Sequence, residues 1–129
     1  MPRSPKPHPT DAELAILNVL WERGPATVRE VHGELERHGP AGYTTVLKQL
    51  QIMTEKGLVA RDESARAHVY RPAVDRSATQ RHLVRDLARK AFDGSPLRLV
   101  QQALAGERAR PEELAEIRRL LEELEEDGR

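Results

Sequence analysis

Apolar residues recur at helical spacing through the first half of the chain. Leu14, Leu17, Leu20 and Trp21, with Ile16 beside them, form a stripe that predicts a helix opening at Thr10 and stopped by Gly24-Pro25. Its start is a capping box, Thr10-Asp11-Ala12-Glu13, in which the hydroxyl takes a free amide and the carboxylate reaches back. A second box, Thr27-Val28-Arg29-Glu30, opens a shorter helix with Val28, Val31 and Leu35 inward, ending near His38-Gly39-Pro40. A third helix is expected from about Gly42 to Lys56. It buries Val46, Leu47, Leu50 and Met53, ends on Gly57 as a left-handed terminator, and carries Thr44, Thr45, Lys48, Gln49 and Gln51 on its other face.

The period then changes. Leu58 to Arg61 and Ala67 to Arg71 are short strand candidates around a polar link, Asp62 to Arg66, closed by Pro72, and they read as a hairpin. Three helices followed by a hairpin is the order of a winged helix-turn-helix, whose third helix is free to enter a DNA groove. After Asp75 the helical period returns. Leu83, Val84, Leu87, Ala88, Ala91 and Phe92 lead to a stop at Gly94, and Ser95-Pro96 launches Leu97, Val100 and Leu104 toward Gly106. A last helix from Pro111 sets Leu114, Ile117, Leu121 and Leu124 at 3-4-3 spacing, with Leu120 alongside. Such thin stripes bury little apolar surface alone, so a partner subunit is the natural supplier of the missing surface. Leu83, Leu87, Phe92, Val100, Leu104, Leu114, Ile117, Leu121 and Leu124 are the expected dimerisation contacts.

The expected fold is therefore mainly α with a small β-hairpin wing. A winged helix-turn-helix domain is assigned to residues 10–74 and a three-helix dimerisation domain to residues 75–129. Residues 1–9 are expected to form a flexible arm, because spaced prolines block helix and sheet hydrogen bonding. Composition agrees: of 129 residues only Trp21, Tyr43, Tyr70 and Phe92 are aromatic, so the core is built from Leu, Val, Ile and Ala. The absence of Cys excludes disulfides, thiolate metal sites and cysteine nucleophiles. With no signal peptide and no run of about 20 apolar residues, the chain reads as cytoplasmic and not inserted in a membrane.

Catalytic chemistry finds no foothold. His8, His32, His38, His68 and His82 are scattered without metal-ligand spacing, and there is no phosphate-binding Gly loop or nucleophile elbow. The carboxylates from Glu112 onward read as a solvated helix face. No enzyme activity, metal or cofactor is expected.

The candidate chemistry is nucleic-acid binding. Thr44, Thr45 and Lys48 lie at the start of the third helix, the end that reaches base edges in a major groove; they also fit the wet face of a core helix. Tyr43 suits either a phosphate contact or packing, and Thr27 either a cap or a phosphate contact. Arg66, His68 and Arg71, with Arg61, suit a wing on the backbone or a merely solvated hairpin. The 21 Lys and Arg balance 21 Asp and Glu, and the total hides an asymmetry. Residues 1–75 hold ten basic and ten acidic side chains, residues 76–110 hold eight and three, and residues 111–129 hold three and eight. Basic and acidic segments thus adjoin, which suits cross-subunit pairing. A winged helix that binds protein and not DNA is the alternative reading, and the zero net charge favours it.

The motifs together resemble a known family. Thr10 to Val31, Tyr43-Thr44-Thr45-Val46 with Leu50, Met53 and Lys56-Gly57-Leu58-Val59, and Arg66 to Pro72 are similar in order and spacing to the opening, recognition helix and wing of the penicillinase-repressor (BlaI/MecI/CopY) regulators. The likeness extends to Gly94-Ser95-Pro96 and the terminal Pro-Glu-Glu-Leu helix. It implies a homodimeric repressor on a palindromic double-stranded DNA operator. It also implies release by a β-lactam or cell-wall signal through a membrane metalloprotease sensor of the BlaR type. The copper-responsive branch has a Cys-rich C-terminal motif that this chain lacks, and where the cleavable branch has Asn-Phe this chain has Gln102-Ala103.

Overall fold

The computed structural model describes residues 8–106 and 109–128. The chain runs α1 (Asp11–Arg23), β1 (Ala26–Thr27), α2 (Val28–Glu36), α3 (Tyr43–Lys56), β2 (Val59–Asp62), β3 (Val69–Pro72), α4 (Arg76–Ala91), α5 (Pro96–Gly106) and α6 (Pro111–Asp127). It divides into two compact units, Met1–Leu83 and Val84–Arg129. Of the expected arm only His8 and Pro9 are described, and residues 1–7 lie outside the described residues. The His8 ring stacks on that of His82 at 4.4 Å.

Both capping boxes form. Thr10 Oγ1 accepts from the Glu13 amide at 3.2 Å while Glu13 Oε1 accepts from the Thr10 amide at 2.9 Å; Thr27 and Glu30 repeat the pair at 3.2 and 2.9 Å. These bonds satisfy amides that a helix start otherwise leaves free. At the end of α3, Gly57 has φ +80°, and the Leu58 amide donates back to the Met53 carbonyl at 2.9 Å. A residue with a side chain is strained at that φ, and the reversal it permits feeds the chain straight into β2.

The expected hairpin forms as β2 and β3, and among the described residues a third strand, β1, joins it. The sheet order is β1-β3-β2, antiparallel throughout, with Ala26 opposite Tyr70 and Thr27 opposite Val69. Two residues between a Gly-Pro turn and a helix cap are too few to show alternation, so β1 has no periodic signature. Its partner β3 supplies the hydrogen bonds. The core joins Ile16, Leu17 and Leu20 of α1, Val31 of α2, and Val46, Leu50 and Met53 of α3 to Ala26, Leu58, Val59 and Tyr70. Trp21 and Leu35 are half-buried against it. The Trp21 Nε1–H donates to the Val74 carbonyl at 3.2 Å, and the Arg76 guanidinium lies 5.9 Å from the indole centroid while bonding Glu22 at 3.2 Å. The end of α1 is thereby fastened to the first turn of α4.

Among the described residues one buried side chain is charged. Glu13 is 1% exposed, and the Lys56 ammonium donates to its Oε1 at 2.6 Å and its Oε2 at 2.9 Å. Burial pushes the carboxyl pKa up, but the Lys56 hydrogen bonds and charge, with the Thr10 amide and hydroxyl, outweigh burial and hold it below the ordinary 4.5.

The second unit is built differently. Ser95 Oγ accepts from the Arg98 amide at 3.2 Å to start α5, and Pro111 occupies the first turn of α6. Neither α5 nor α6 has a buried residue. Of the expected dimerisation contacts, Leu83, Phe92 and Ile117 are half-buried, whereas Leu87, Val100, Leu104, Leu114, Leu121 and Leu124 are exposed, the last two at 53% and 57%.

Removing the Glu13 carboxylate breaks a buried ion pair and a cap together, so Glu13→Ala is expected to lower the unfolding free energy by about 2–4 kcal/mol. A depressed folded pKa contributes stability above the unfolded pKa that is lost as pH falls through the folded value. The native chain should therefore lose stability below about pH 4.5 more steeply than Glu13→Gln in denaturant titrations. Parallel acid curves for the two proteins would count against the ion pair.

Candidate nucleic-acid interface

The turn between α2 and α3 is held from below. The His32 Nε2–H donates to the Ala41 carbonyl at 2.7 Å and lies 3.1 Å from Glu36 Oε1. A carbonyl can only accept, so this nitrogen carries the hydrogen. The same ring meets Tyr43 edge-on at 5.6 Å. Tyr43 opens α3 and is 47% exposed. The N-cap of α3 is Gly42, which supplies no side-chain acceptor. The first-turn amides of α3, at the positive end of its dipole, therefore have no side-chain cap.

The period of α3 divides its surface. Val46, Leu50 and Met53 point into the core, while Thr44, Thr45 and Lys48 are exposed. Tyr43 and Leu47 face a concavity of about 400 Å³ between the start of α2, the start of α3 and the link joining β2 to β3. Thr27, Tyr43, Arg66 and His68 all line it, so four of the expected site residues from three distant stretches meet there. Thr44, Thr45 and Lys48 lie outside that lining on the adjoining face of α3, and Arg71 is exposed on β3. Arg29 also lines the concavity. The only signal that the sequence carries for Arg29 is its place two residues after Thr27 inside the capping box.

The arginines of the wing have different tasks. Arg61 pairs with Glu63 at 2.5 Å and hydrogen-bonds Tyr70, which raises its pKa, so it braces the hairpin. Asp62 accepts from the Ser64 amide at 2.9 Å, and that bond, with Arg71 nearby, keeps its carboxyl below the usual range. Lys48 and Arg66 make no ion pair among the described residues. Thr27 is doubly used, since its hydroxyl caps α2 while its residue edges the concavity. The amide of Thr27, followed by its hydroxyl, holds the Glu30 carboxyl below its ordinary value, and Arg23 adds an ion pair at 2.7 Å. Among the described residues no group of three or more His, Cys, Asp or Glu is arranged to hold a metal ion, and no helix is long and apolar enough to cross a membrane.

The family model described as penicillinase repressor matches residues 9–123. The transcriptional regulator BlaI of Mycobacterium tuberculosis (strain ATCC 25618 / H37Rv) is 37% identical over 118 residues, which cover 89% of this chain and 83% of that protein. The penicillinase repressor of Bacillus licheniformis is 26% identical over 117 residues, 91% of each chain. Among solved structures, the DNA-binding domain of the repressor BlaI superposes with a TM-score of 0.51 at 28% identity, covering 58% of this chain and 92% of that one. The monomeric form of Bacillus licheniformis BlaI in complex with the blaP half-operator gives a TM-score of 0.50 at 29% identity, covering 57% and 89%.

Because Thr27 caps α2 through its hydroxyl, Thr27→Ala is expected to lower stability by about 1 kcal/mol in chemical denaturation, while Thr27→Ser retains most of it. Equal stability of all three proteins would show that the cap is dispensable.

Proposed function

The chain belongs to the penicillinase repressor family, and on that basis we propose how it works as a DNA-binding transcriptional repressor, which is not an enzyme. The reading is carried by one observation: the exposed hydroxyls and ammonium of α3 adjoin a concavity rimmed by Thr27, Arg66 and His68. That part of the chain is similar to a relative solved with its half-operator. The third helix enters the major groove, where Thr44, Thr45 and Lys48 meet base edges and the nearest phosphates. Thr27 and Tyr43 bond the backbone beside it, and Arg66, His68 and Arg71 follow the backbone as the wing. The open N-terminus of α3 adds amides suited to a phosphate.

Residues 1–75, which include the winged helix, balance ten basic side chains against ten acidic ones, so their non-specific attraction for DNA is weak. Two copies on one palindrome remedy this, because the second half-site binds at the effective concentration set by the first. The exposed apolar faces of α4, α5 and α6 supply the contact between copies, through Leu87, Val100, Leu104, Leu114, Leu121 and Leu124 together with the half-buried Leu83, Phe92 and Ile117. Any signal that separates the copies releases the operator. Family membership supports a β-lactam or cell-wall signal relayed by a membrane metalloprotease sensor. Gln102 and Ala103 are both exposed within α5, so cleavage there requires that helix to open locally, since a protease takes an extended strand.

Two measurements test this reading. Lys48→Ala should weaken operator binding and flatten its dependence on salt by about one phosphate contact. A gel-shift titration with unchanged affinity at every salt concentration would remove Lys48 from the interface. Leu121→Asp should convert the protein to monomers by light scattering and abolish binding to the full palindrome, and a dimer that persists would relocate the subunit contact.

A further inference from the structure

The charged segments lie beside the exposed apolar faces in ordered stripes. On α4, Arg81, Arg85 and Arg89 follow at intervals of four and so share one side of the helix, flanking the exposed Val84. On α6, Glu112, Glu116, Glu123 and Asp127 fall on one side by the 3.6-residue period. Glu116 and Glu123 border a groove of about 310 Å³ with Ile117, Leu120 and Arg119, the last paired with Glu116, so apolar surface and the Glu123 carboxylate are offered together. Within Val84–Arg129 no ion pair joins α4 to α6 among the described residues: Arg89 and Lys90 bind Asp86, and Arg119 binds Glu116. Arg85, Glu112, Glu123 and Asp127 make no ion pair there.

We propose that the acidic stripe of α6 in one copy receives the arginine stripe of α4 in a second copy, so that self-pairing of this chain is selected by charge. The inference rests on the homodimer reading and adds to it which residues choose the partner. The occupant is a second copy because the complement is carried by the same chain. Residues 76–110 hold eight basic side chains against three acidic ones, and residues 111–129 hold three against eight. In a two-fold dimer a contact of α4 with α6 of the other copy occurs twice, which uses both stripes of both copies. Exposed ion pairs contribute little individually, whereas like charges in register repel, so the pattern governs which chains associate more than how tightly. The flanking charges of coiled coils select partners in the same manner.

A charge exchange in the full chain tests it. One variant carries Arg85→Glu and Arg89→Glu, the other Glu116→Arg and Glu123→Arg. In sedimentation equilibrium each variant alone should show a dimer dissociation constant raised by about tenfold or more, since the like-charge contacts are repeated by symmetry. An equimolar mixture should form the heterodimer with nearly the native constant, because both α4–α6 contacts then join opposite charges. Binding of each variant to a half-operator fragment should be unchanged, which reports an intact winged helix. Variants that dimerise as the native chain does, or a mixture no tighter than its components, would overturn the charge selection while leaving the homodimer in place. A native chain that sediments as a monomer would overturn both.

Discussion

A carboxylate within an apolar core has to be paired, and the pairing of Glu13 with Lys56 ties the first turn of α1 to the last turn of α3. The same carboxylate closes the capping box on Thr10, so one group starts the first helix and anchors the third. The course of the chain beyond α3 depends on that anchor. Lys56 is succeeded by Gly57, whose left-handed conformation turns the backbone into β2, and Leu58 and Val59 then enter the core. The placement of α3, the exit into the wing and the first turn of α1 are therefore coupled through two short hydrogen bonds. A buried ion pair is weak evidence for stability, since an apolar pair of similar size can do as well, but its directional bonds favour one arrangement of the helices over others.

The two units meet the same requirement, the burial of apolar surface, in opposite ways. The first buries Leu, Ile, Val and Met side chains from three helices and a small sheet around Tyr70, and it is complete within one copy. The second leaves the stripes of α5 and α6 exposed. For a repressor this division has a use. In the homodimer we propose, a near-neutral reading domain binds a half-site weakly, so occupancy of the operator depends on the assembly of the other unit. The zero net charge agrees with the same arrangement, because the basic and acidic excesses lie on successive helices and cancel only in the sum.

Much of the fold was legible because its signals are local. Thr-x-x-Glu at two helix starts, Gly57 at a helix end and Pro96 and Pro111 in first turns each act within a few residues, and each is found where its pattern placed it. The site was legible in part. Thr27, Tyr43, Arg66 and His68 could be named one at a time from residue type and position, but that they line one concavity depends on the meeting of α2, α3 and the wing. Arg29 had no independent signal. Arg61 resembled the other wing arginines until its bonds to Glu63 and Tyr70 set it apart.

The order and limits of the helices, the hairpin, the family resemblance and the chemical character of the exposed face of α3 are all written in the linear pattern of residues. They rest on hydrogen bonds and periodicities that span no more than a few turns. It took the packed fold to establish that Ala26 and Thr27 form a third strand, that Glu13 is buried against Lys56, and which wing cations are already engaged. The strand and the ion pair join residues far apart in the chain. Ala26 pairs with Tyr70 and Glu13 with Lys56, and nothing in the local pattern at either end names its partner, since the partner is chosen by the packing of everything between.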